Sequence, residues 1–249
     1  PCIIHDIHGK IMAWHLPRAL SPRTQQGDMM HAAANLSAVF FRNVKAGKAW
    51  RDERSAFKDA STCRMLTPGL ANISPAWFQQ GHATPPNMPQ VGAVLKTPAG
   101  QAWLYKAAES NAILSAVLSV VHPPLYRGAR EVMLRLREQP DLAEAIDNWH
   151  SVFTGVAVIS NRSTCLHRDT GGRFAWYDLL ASCGPYHGAK LCLPAIGIEL
   201  EYPPGTIDAV SGMSLAHSVP GFDGERLCHA FFMKDSVHHF ARVEAPGWM

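Results

Sequence analysis

Residues 206–233 read TIDAVSGMSLAHSVPGFDGERLCHAFFM, and this stretch decides the fold class. Apolar, β-branched and aromatic residues dominate 206–213 and 226–233, a composition that predicts two strands. Between them, 220–224 reads PGFDG and supplies turn residues. The second strand is therefore expected to return beside His217 as a hairpin.

The same alternation of strands and turns extends back to residue 152. Four further runs predict strands, with glycine and proline between most of them: 152–160, 164–169, 176–183 and 189–202. Many short strands at this spacing are typical of an antiparallel sandwich or jelly roll.

The N-terminal part of the chain has a different pattern of predicted secondary structure. Residues 1–20 predict a short hairpin, while 28–62, 108–121 and 127–150 predict helices. Six prolines within 66–100 predict a long irregular connection. The predicted fold class is therefore α+β, with a double-stranded β-helix (jelly-roll) core and packed N-terminal helices. We expect one domain over 1–249, in which 1–150 is the mainly helical half and 151–249 the β-helix core.

Composition limits the classes of protein that this chain can belong to. It has 249 residues, 47% hydrophobic and 17% charged, which is enough apolar material for a core. The longest nearly apolar run, 112–121, is half of the ~20 residues that a membrane span needs, and no signal peptide is expected. No two cysteines are spaced Cys-x-x-Cys, so we expect buried thiols in a reducing compartment and no structural zinc site.

Charge is distributed unevenly along the chain. Residues 1–140 carry 16 Lys and Arg against 8 Asp and Glu, whereas residues 141–249 carry 7 against 12. A basic half beside an acidic half favours contact with a polyanion, and Lys45, Lys48 and Arg51 are the predicted contacts to a DNA backbone. Basic residues at a step of three spiral around a helix, however, so a solvated helix is the alternative.

The segment Thr-Cys-Leu-His-Arg-Asp places His167 and Asp169 two residues apart. Side chains alternate along a strand, so both face the same side and can hold one metal ion. The hairpin brings a second histidine, His217, and an arginine, Arg226. Two histidines and a carboxylate form the facial triad of non-haem Fe(II) oxygenases. An arginine can bind a carboxylate through two parallel N–H donors. Together these residues predict an iron site with a 2-oxoglutarate pocket.

Four segments resemble the TET/JBP-like 2-oxoglutarate- and Fe(II)-dependent dioxygenases, especially their fungal, transposon-associated branch. They are NRSTCLHRD at 161–169, YDLL at 177–180, GER at 224–226 and KDSVH at 234–238. The resemblance implies a double-stranded β-helix and oxidation of a methylated base in DNA. The implied cofactor and cosubstrates are Fe(II), 2-oxoglutarate and O₂, and the implied partner is methylated double-stranded DNA.

The resemblance also implies roles for individual residues. His167, Asp169 and His217 would be the iron ligands and the catalytic centre, and Arg226 would bind the distal carboxylate of 2-oxoglutarate. Phe232 would stack on a flipped base, and Gly171-Gly172 replaces the His-Asn pair of animal relatives. Further candidates are Asn161 and Arg162 for the cofactor, and Asp178, Lys234 and Asp235 for the base.

Several alternatives stay open. The substrate could be 5-methylcytosine or 6-methyladenine, because both offer an exocyclic amino group that Asp178 or Asp235 could accept from. A 2-oxoglutarate oxygenase of proteins or small molecules is the second reading, and a non-catalytic jelly-roll binding module is the third. We expect a nuclear monomer, with Tyr177 in the core. His5, His8, His238 and His239 are expected on the surface.

Overall fold

The computed structural model describes residues 1–43, 51, 53–79, 81–83 and 86–249. Its strands are β1 (Cys2–His5), β2 (Ile11–Leu16), β3 (Gly69–Ile73), β4 (Gly155–Ser160), β5 (Thr164–His167), β6 (Asp178–Cys183), β7 (Tyr186–His187), β8 (Lys190–Leu193), β9 (Ile198–Glu201), β10 (Thr206–Val210), β11 (His217–Val219), β12 (Asp223–Gly224) and β13 (Leu227–Phe232). Most of these strands form two antiparallel sheets. The larger has the order β1-β2-β10-β6-β13-β4-β3 and the smaller the order β5-β11-β8-β9, while β7 and β12 pair separately.

The α-helices are α1 (His31–Ala34), α2 (Ser37–Asn43), α3 (Pro98–Lys106), α4 (Ala108–Val121), α5 (Pro123–Arg137), α6 (Pro140–Asp147) and α7 (Asp235–Phe240). A π-helical segment, Arg23–Met30, precedes α1, and short 3₁₀ turns lie at Arg54–Ala56, Ala60–Thr62 and Pro194–Ile196. Local sequence sets several boundaries. For example, Thr97 Oγ1 accepts from the Gly100 N–H at 3.1 Å, and Pro98 begins α3.

The two sheets face each other across an apolar layer. Ala13 and Val210 from the larger sheet pack with Leu191, Leu193 and Val219 from the smaller one. The other face of the larger sheet carries Val156, Val158 and Leu179, which pack against helical residues that include Trp103, Leu114 and Leu118. This sandwich of two antiparallel sheets with helices on one face confirms the predicted fold class. No helix in the described part of the chain has the length and hydropathy needed to span a bilayer.

Several sequence-based predictions of secondary structure were wrong. The helix predicted over 28–62 does not continue, because 54–62 contains only two 3₁₀ turns capped by Glu53 and Asp59. The proline-rich connection contains β3, which pairs with β4 through the apolar run Gly69–Ile73. The segment predicted as one strand over 189–202 forms β8 and β9, because Gly197 adopts φ +66° between them.

The expected hairpin between His217 and Arg226 was also wrong. β11 belongs to the smaller sheet and β13 to the larger one, so these two segments lie on facing sheets instead of pairing. In addition, 1–150 contributes three strands of the larger sheet, β1, β2 and β3. The N-terminal half therefore builds part of the sandwich as well as covering it.

Burial corrects two further predictions. His238 is buried, with its ring centroid 4.4 Å from that of Trp176, because α7 packs into the apolar cluster of α5 and α6. Of the six thiols, Cys183 and Cys228 are buried, whereas Cys2 and Cys165 are exposed. Tyr177 is fully buried, as predicted, and its hydroxyl donates to the Ile11 carbonyl at 2.7 Å.

Candidate metal centre and substrate cavity

His167, Asp169 and His217 converge at one end of the smaller sheet. β5 and β11 run antiparallel with His217 directly opposite His167, and Asp169 follows two residues after His167. Asp169 Oδ1 lies 3.6 Å from His167 Nε2, and Asp169 Oδ2 lies 3.4 Å from His217 Nε2. Ligand atoms of all three residues lie within 4.8 Å of one another. This triad can hold one metal ion, and a two-histidine, one-carboxylate set suits Fe(II).

Backbone carbonyls fix the orientation of both imidazole rings. The Nδ1 atom of His167 lies 2.9 Å from the carbonyl oxygen of Cys165, and that of His217 lies 3.0 Å from the carbonyl oxygen of Leu215. A carbonyl can only accept, so Nδ1 carries the proton and donates in each ring. Nε2 is left with its lone pair toward Asp169, which is the tautomer that a metal ligand needs.

The charges of the triad also suit a cation. Burial lowers the pKa of His217, although the Asp169 charge opposes this, so the ring is neutral near pH 7. Burial alone would raise the pKa of Asp169. The neighbouring imidazoles of His167 and His217 outweigh the effect of burial, and the pKa of Asp169 is lowered overall. The site therefore offers the neutral imidazole of His217 and the carboxylate of Asp169 beside His167.

A second carboxyl group lies against the first. Asp178, at the start of β6, is half-buried next to Asp169, and desolvation together with the Asp169 charge raises its pKa well above the usual range. Gly212 makes room for this pair, because a Cβ there would lie 2.6 Å from Asp169 Oδ2 and 2.7 Å from Asp178 Oδ2. No larger residue could occupy position 212 without displacing a carboxyl group.

Arg226 enters the same region from the larger sheet, immediately before β13. Its side chain is buried, its Nε donates to Ser182 Oγ at 3.0 Å, and its guanidinium lies 4.9 Å from the centroid of the Tyr202 ring. Within the described residues, no carboxylate forms an ion pair with it. A buried guanidinium without a carboxylate partner fits an anionic ligand such as the carboxylate of 2-oxoglutarate.

The two other candidate cofactor residues have different surroundings. Asn161 adopts φ +52°, its Oδ1 accepts from the Arg226 N–H at 2.8 Å, and its Nδ2 donates to the Leu66 carbonyl at 2.8 Å. It therefore holds the backbone of Arg226 and is not among the residues that line the cavity. Arg162 does line the cavity, and burial lowers its pKa to about 10.

A cavity of about 570 Å³ joins these groups. Its walls include the triad, Arg226, Arg162, Asp178 and the aromatic residues Trp77, Phe78, Trp176, Tyr202 and Phe232. Phe232 meets Trp77 edge to face with centroids 6.2 Å apart, and Lys234 Nζ lies 5.0 Å from the Phe232 centroid. The cavity is within the range of sites that enclose a small molecule or a base.

The remaining predicted base contacts divide between the cavity and its surroundings. Lys234, Gly171 and Gly172 line the cavity, and Lys234 Nζ donates to the Thr170 carbonyl at 3.2 Å. Burial lowers the pKa of Lys234 while Asp178 opposes this shift. Asp235 instead accepts from Arg173 Nε at 2.6 Å and does not line the cavity.

Sequence reasoning missed two parts of the cavity. Trp77 was not considered, because its place depends on a backbone bridge between Trp77 and Gln90 that no local pattern indicates. Arg51, predicted as a contact to a DNA backbone, also lines the cavity, with its guanidinium 3.9 Å from Asp169 Oδ1, and the sequence did not indicate this position. Lys45 and Lys48 lie outside the described residues.

Comparison with known proteins connects this geometry to a family. The family model named Tet_JBP, described as the oxygenase domain of the 2OGFeDO superfamily, matches residues 74–235. NgTET1, solved in complex with 5mC DNA, superposes with a TM-score of 0.59 at 15% identity, over 95% of this chain and 77% of that one. An oxidoreductase of the 2OG-Fe(II) oxygenase family from Burkholderia pseudomallei gives a TM-score of 0.27 at 12% identity, over 40% of this chain and 55% of that one. No curated protein matches the chain. The likeness to NgTET1 concerns the fold.

Proposed function

This chain belongs to the TET/JBP family of oxygenase domains in the 2-oxoglutarate- and Fe(II)-dependent superfamily, and on that premise we propose that it oxidises a methylated base in duplex DNA. The family uses Fe(II), 2-oxoglutarate and O₂. The proposed main substrate is 5-methylcytosine, converted to 5-hydroxymethylcytosine and further oxidised forms. The proposed second substrate is 6-methyladenine, which would be demethylated.

One observation carries the proposal: a single cavity is lined by the triad, by Arg226 and by the aromatic residues around Phe232. His167, Asp169 and His217 would hold the metal, with the metal-facing Nε2 atoms already set by the backbone carbonyls. Arg226 would bind the distal carboxylate of 2-oxoglutarate. When bound, Fe(II) and 2-oxoglutarate together activate O₂ for hydroxylation of a C–H bond.

The cavity would also receive the base. An enclosed site cannot reach a methyl group inside the stack, so the base would be flipped out of the duplex. Phe232 would stack on the base. Lys234 can only donate, so it would contact an acceptor on the base edge. Asp178, or Asp235 if its pairing with Arg173 opens, would accept from the exocyclic amino group.

Support for DNA as the partner comes from two sources. NgTET1, which shares the fold, was solved with 5mC DNA. The N-terminal half of this chain also carries an excess of basic residues, and Arg51 lies at the cavity wall. Lys45, Lys48 and Arg51 would contact phosphates, and we propose a monomer that works in the nucleus because its substrate would be there.

Mass spectrometry of nucleosides tests the proposal. The protein is incubated with Fe(II), 2-oxoglutarate and three otherwise identical duplexes that contain 5-methylcytosine, 6-methyladenine or neither. We expect 5-hydroxymethylcytosine from the first duplex and a smaller demethylation of the second, with succinate formed in step. Asp169→Ala is the control, and it should yield neither product.

One outcome would overturn the proposal. If the wild type converts 2-oxoglutarate to succinate but leaves every methylated base unchanged, in both duplex and single-stranded DNA, then DNA is not the substrate. The reading as an oxygenase of protein side chains or small molecules would then replace it.

A further inference from the structure

The loop 170–176, called the rim loop here, carries one exposed aromatic side chain. Gly171, Gly172, Arg173 and Trp176 from this loop line the cavity. Phe174 lies among them but does not line the cavity, and 57% of its surface is exposed. Phe174 has no role in the proposed binding of the metal by the triad or of 2-oxoglutarate by Arg226.

The backbone of the rim loop is fixed at both ends. The Phe174 carbonyl accepts from Ser211 Oγ at 2.6 Å and from Ser214 Oγ at 3.1 Å. The Asp235 N–H donates to the Gly171 carbonyl at 2.7 Å, and Trp176 Nε1 donates to the Pro246 carbonyl at 3.2 Å. These bonds fix the backbone at Phe174, and its ring is exposed to solvent. Because the backbone of the loop is already ordered, a contact through Phe174 does not need to order the loop on binding.

The surroundings of Phe174 suit a polyanion that also has an apolar interior. Arg168 and Arg173, on either side of the glycine pair, are exposed, and Arg173 also donates to Asp235 at 2.6 Å. Serine hydroxyls from the segment before β11 lie directly beneath the loop. An exposed aromatic ring on a loop next to exposed arginines matches a nucleic acid, in which phosphates flank stacked bases.

We propose that Phe174 enters the base stack beside the flipped base and fills the gap that the base leaves. This inference rests on the proposed function. A base that enters the cavity leaves an unstacked step directly outside the cavity mouth. Apolar side chains inserted at such steps offset the loss of stacking, and Phe174 is the exposed aromatic side chain on a loop that lines the cavity. The role requires a duplex, because a single strand has no gap to fill.

The difference between duplex and single strand supplies the test. Phe174→Ala and Phe174→Leu are assayed on one oligonucleotide with a single 5-methylcytosine, used alone and annealed. The matched control is Tyr105→Ala, since Tyr105 on α3 is 84% exposed and does not line the cavity. On the duplex, Phe174→Ala should lower kcat/KM about tenfold, the size expected of one base–aromatic stack. On the single strand the change should stay within about twofold, and Phe174→Leu should keep at least about a third of the duplex activity.

Each outcome decides the matter. Equal losses on the two substrates, or no loss on either, would overturn the role of Phe174 while leaving the proposed function intact. If the wild type oxidises only the duplex, the duplex activities of Phe174→Leu and Phe174→Ala are compared with each other. Equal losses of activity in these two variants would refute the inference. If the wild type oxidises neither form, the proposed function fails and this inference fails with it.

Discussion

Replacing Arg226 tests how the cavity holds its cosubstrate. The guanidinium is buried, it donates to Ser182 Oγ at 3.0 Å, and none of the carboxylates in the described residues pairs with it. Loss of a buried, charge-assisted contact costs about 2–5 kcal/mol, which raises the dissociation constant roughly 30-fold or more. Arg226→Met should therefore weaken 2-oxoglutarate binding by at least that factor.

Thermal unfolding measures this effect without turnover. In the presence of Mn(II), 2-oxoglutarate at 100 times its dissociation constant should stabilise the wild type by about 2.7 kcal/mol. For a chain of this size that free energy raises the unfolding midpoint by roughly 5–10 °C. At the same concentration, Arg226→Met should gain less than about 1 kcal/mol, and so less than about 4 °C.

Controls separate binding from folding. Without 2-oxoglutarate, Arg226→Met should not unfold earlier than the wild type, because a buried charge without a carboxylate partner contributes little to stability. Arg226→Lys keeps the positive charge but loses the paired N–H donors of the guanidinium. The shift of its unfolding midpoint by 2-oxoglutarate should therefore lie between those of the wild type and Arg226→Met. If Arg226→Met keeps the full shift while Arg162→Met loses it, then Arg162 binds the cosubstrate and our assignment is wrong.

Three further predictions concern the metal, the DNA and the base. Gly212→Ala should lower metal affinity at least about tenfold in a metal titration, because its Cβ would displace the Asp169 carboxylate. The control is Gly221→Ala, whose Cβ meets no atom. Equal metal affinities for the two variants would show that a Cβ at position 212 does not disturb the metal site. Replacing Lys45, Lys48 and Arg51 together by Glu should weaken duplex binding equally for all sequences and reduce its salt dependence in fluorescence anisotropy, and an unchanged salt slope would exclude these contacts. Asp178→Asn and Asp235→Asn should change the ratio of 5-methylcytosine to 6-methyladenine oxidation, and an unchanged ratio in both variants would leave stacking alone to select the base.

The metal site could be predicted because it depends on short spacing. His167 and Asp169 are two residues apart on one strand, and alternation alone places them on one face. The second histidine follows from the strand count of a jelly roll, and the structure pairs it with His167. The predicted hairpin was nevertheless wrong, because Arg226 reaches the site from the facing sheet. The residue types and their spacing were enough to predict the triad and Arg226 as one site. Which sheet carries each of these residues could be seen only in the tertiary structure.

The rest of the cavity depends on contacts between distant segments. Trp77 reaches the cavity through its bridge to Gln90, and the sequence around Trp77 has no periodic pattern that places it there. His238 was expected on the surface, yet packing against Trp176 buries it. The run Gly69–Ile73 was overlooked among prolines, although pairing with β4 makes it a strand.

If the protein oxidises a methylated base as proposed, one oxygen atom of O₂ enters the methyl group of that base. The most direct measurement incubates a 5-methylcytosine duplex with Fe(II), 2-oxoglutarate and ¹⁸O₂, then determines the mass of 5-hydroxymethylcytosine by nucleoside mass spectrometry. We expect a product that carries one ¹⁸O atom with the wild type and no product with Asp169→Ala. An unlabelled product, or equal labelled product from Asp169→Ala, would contradict the proposal.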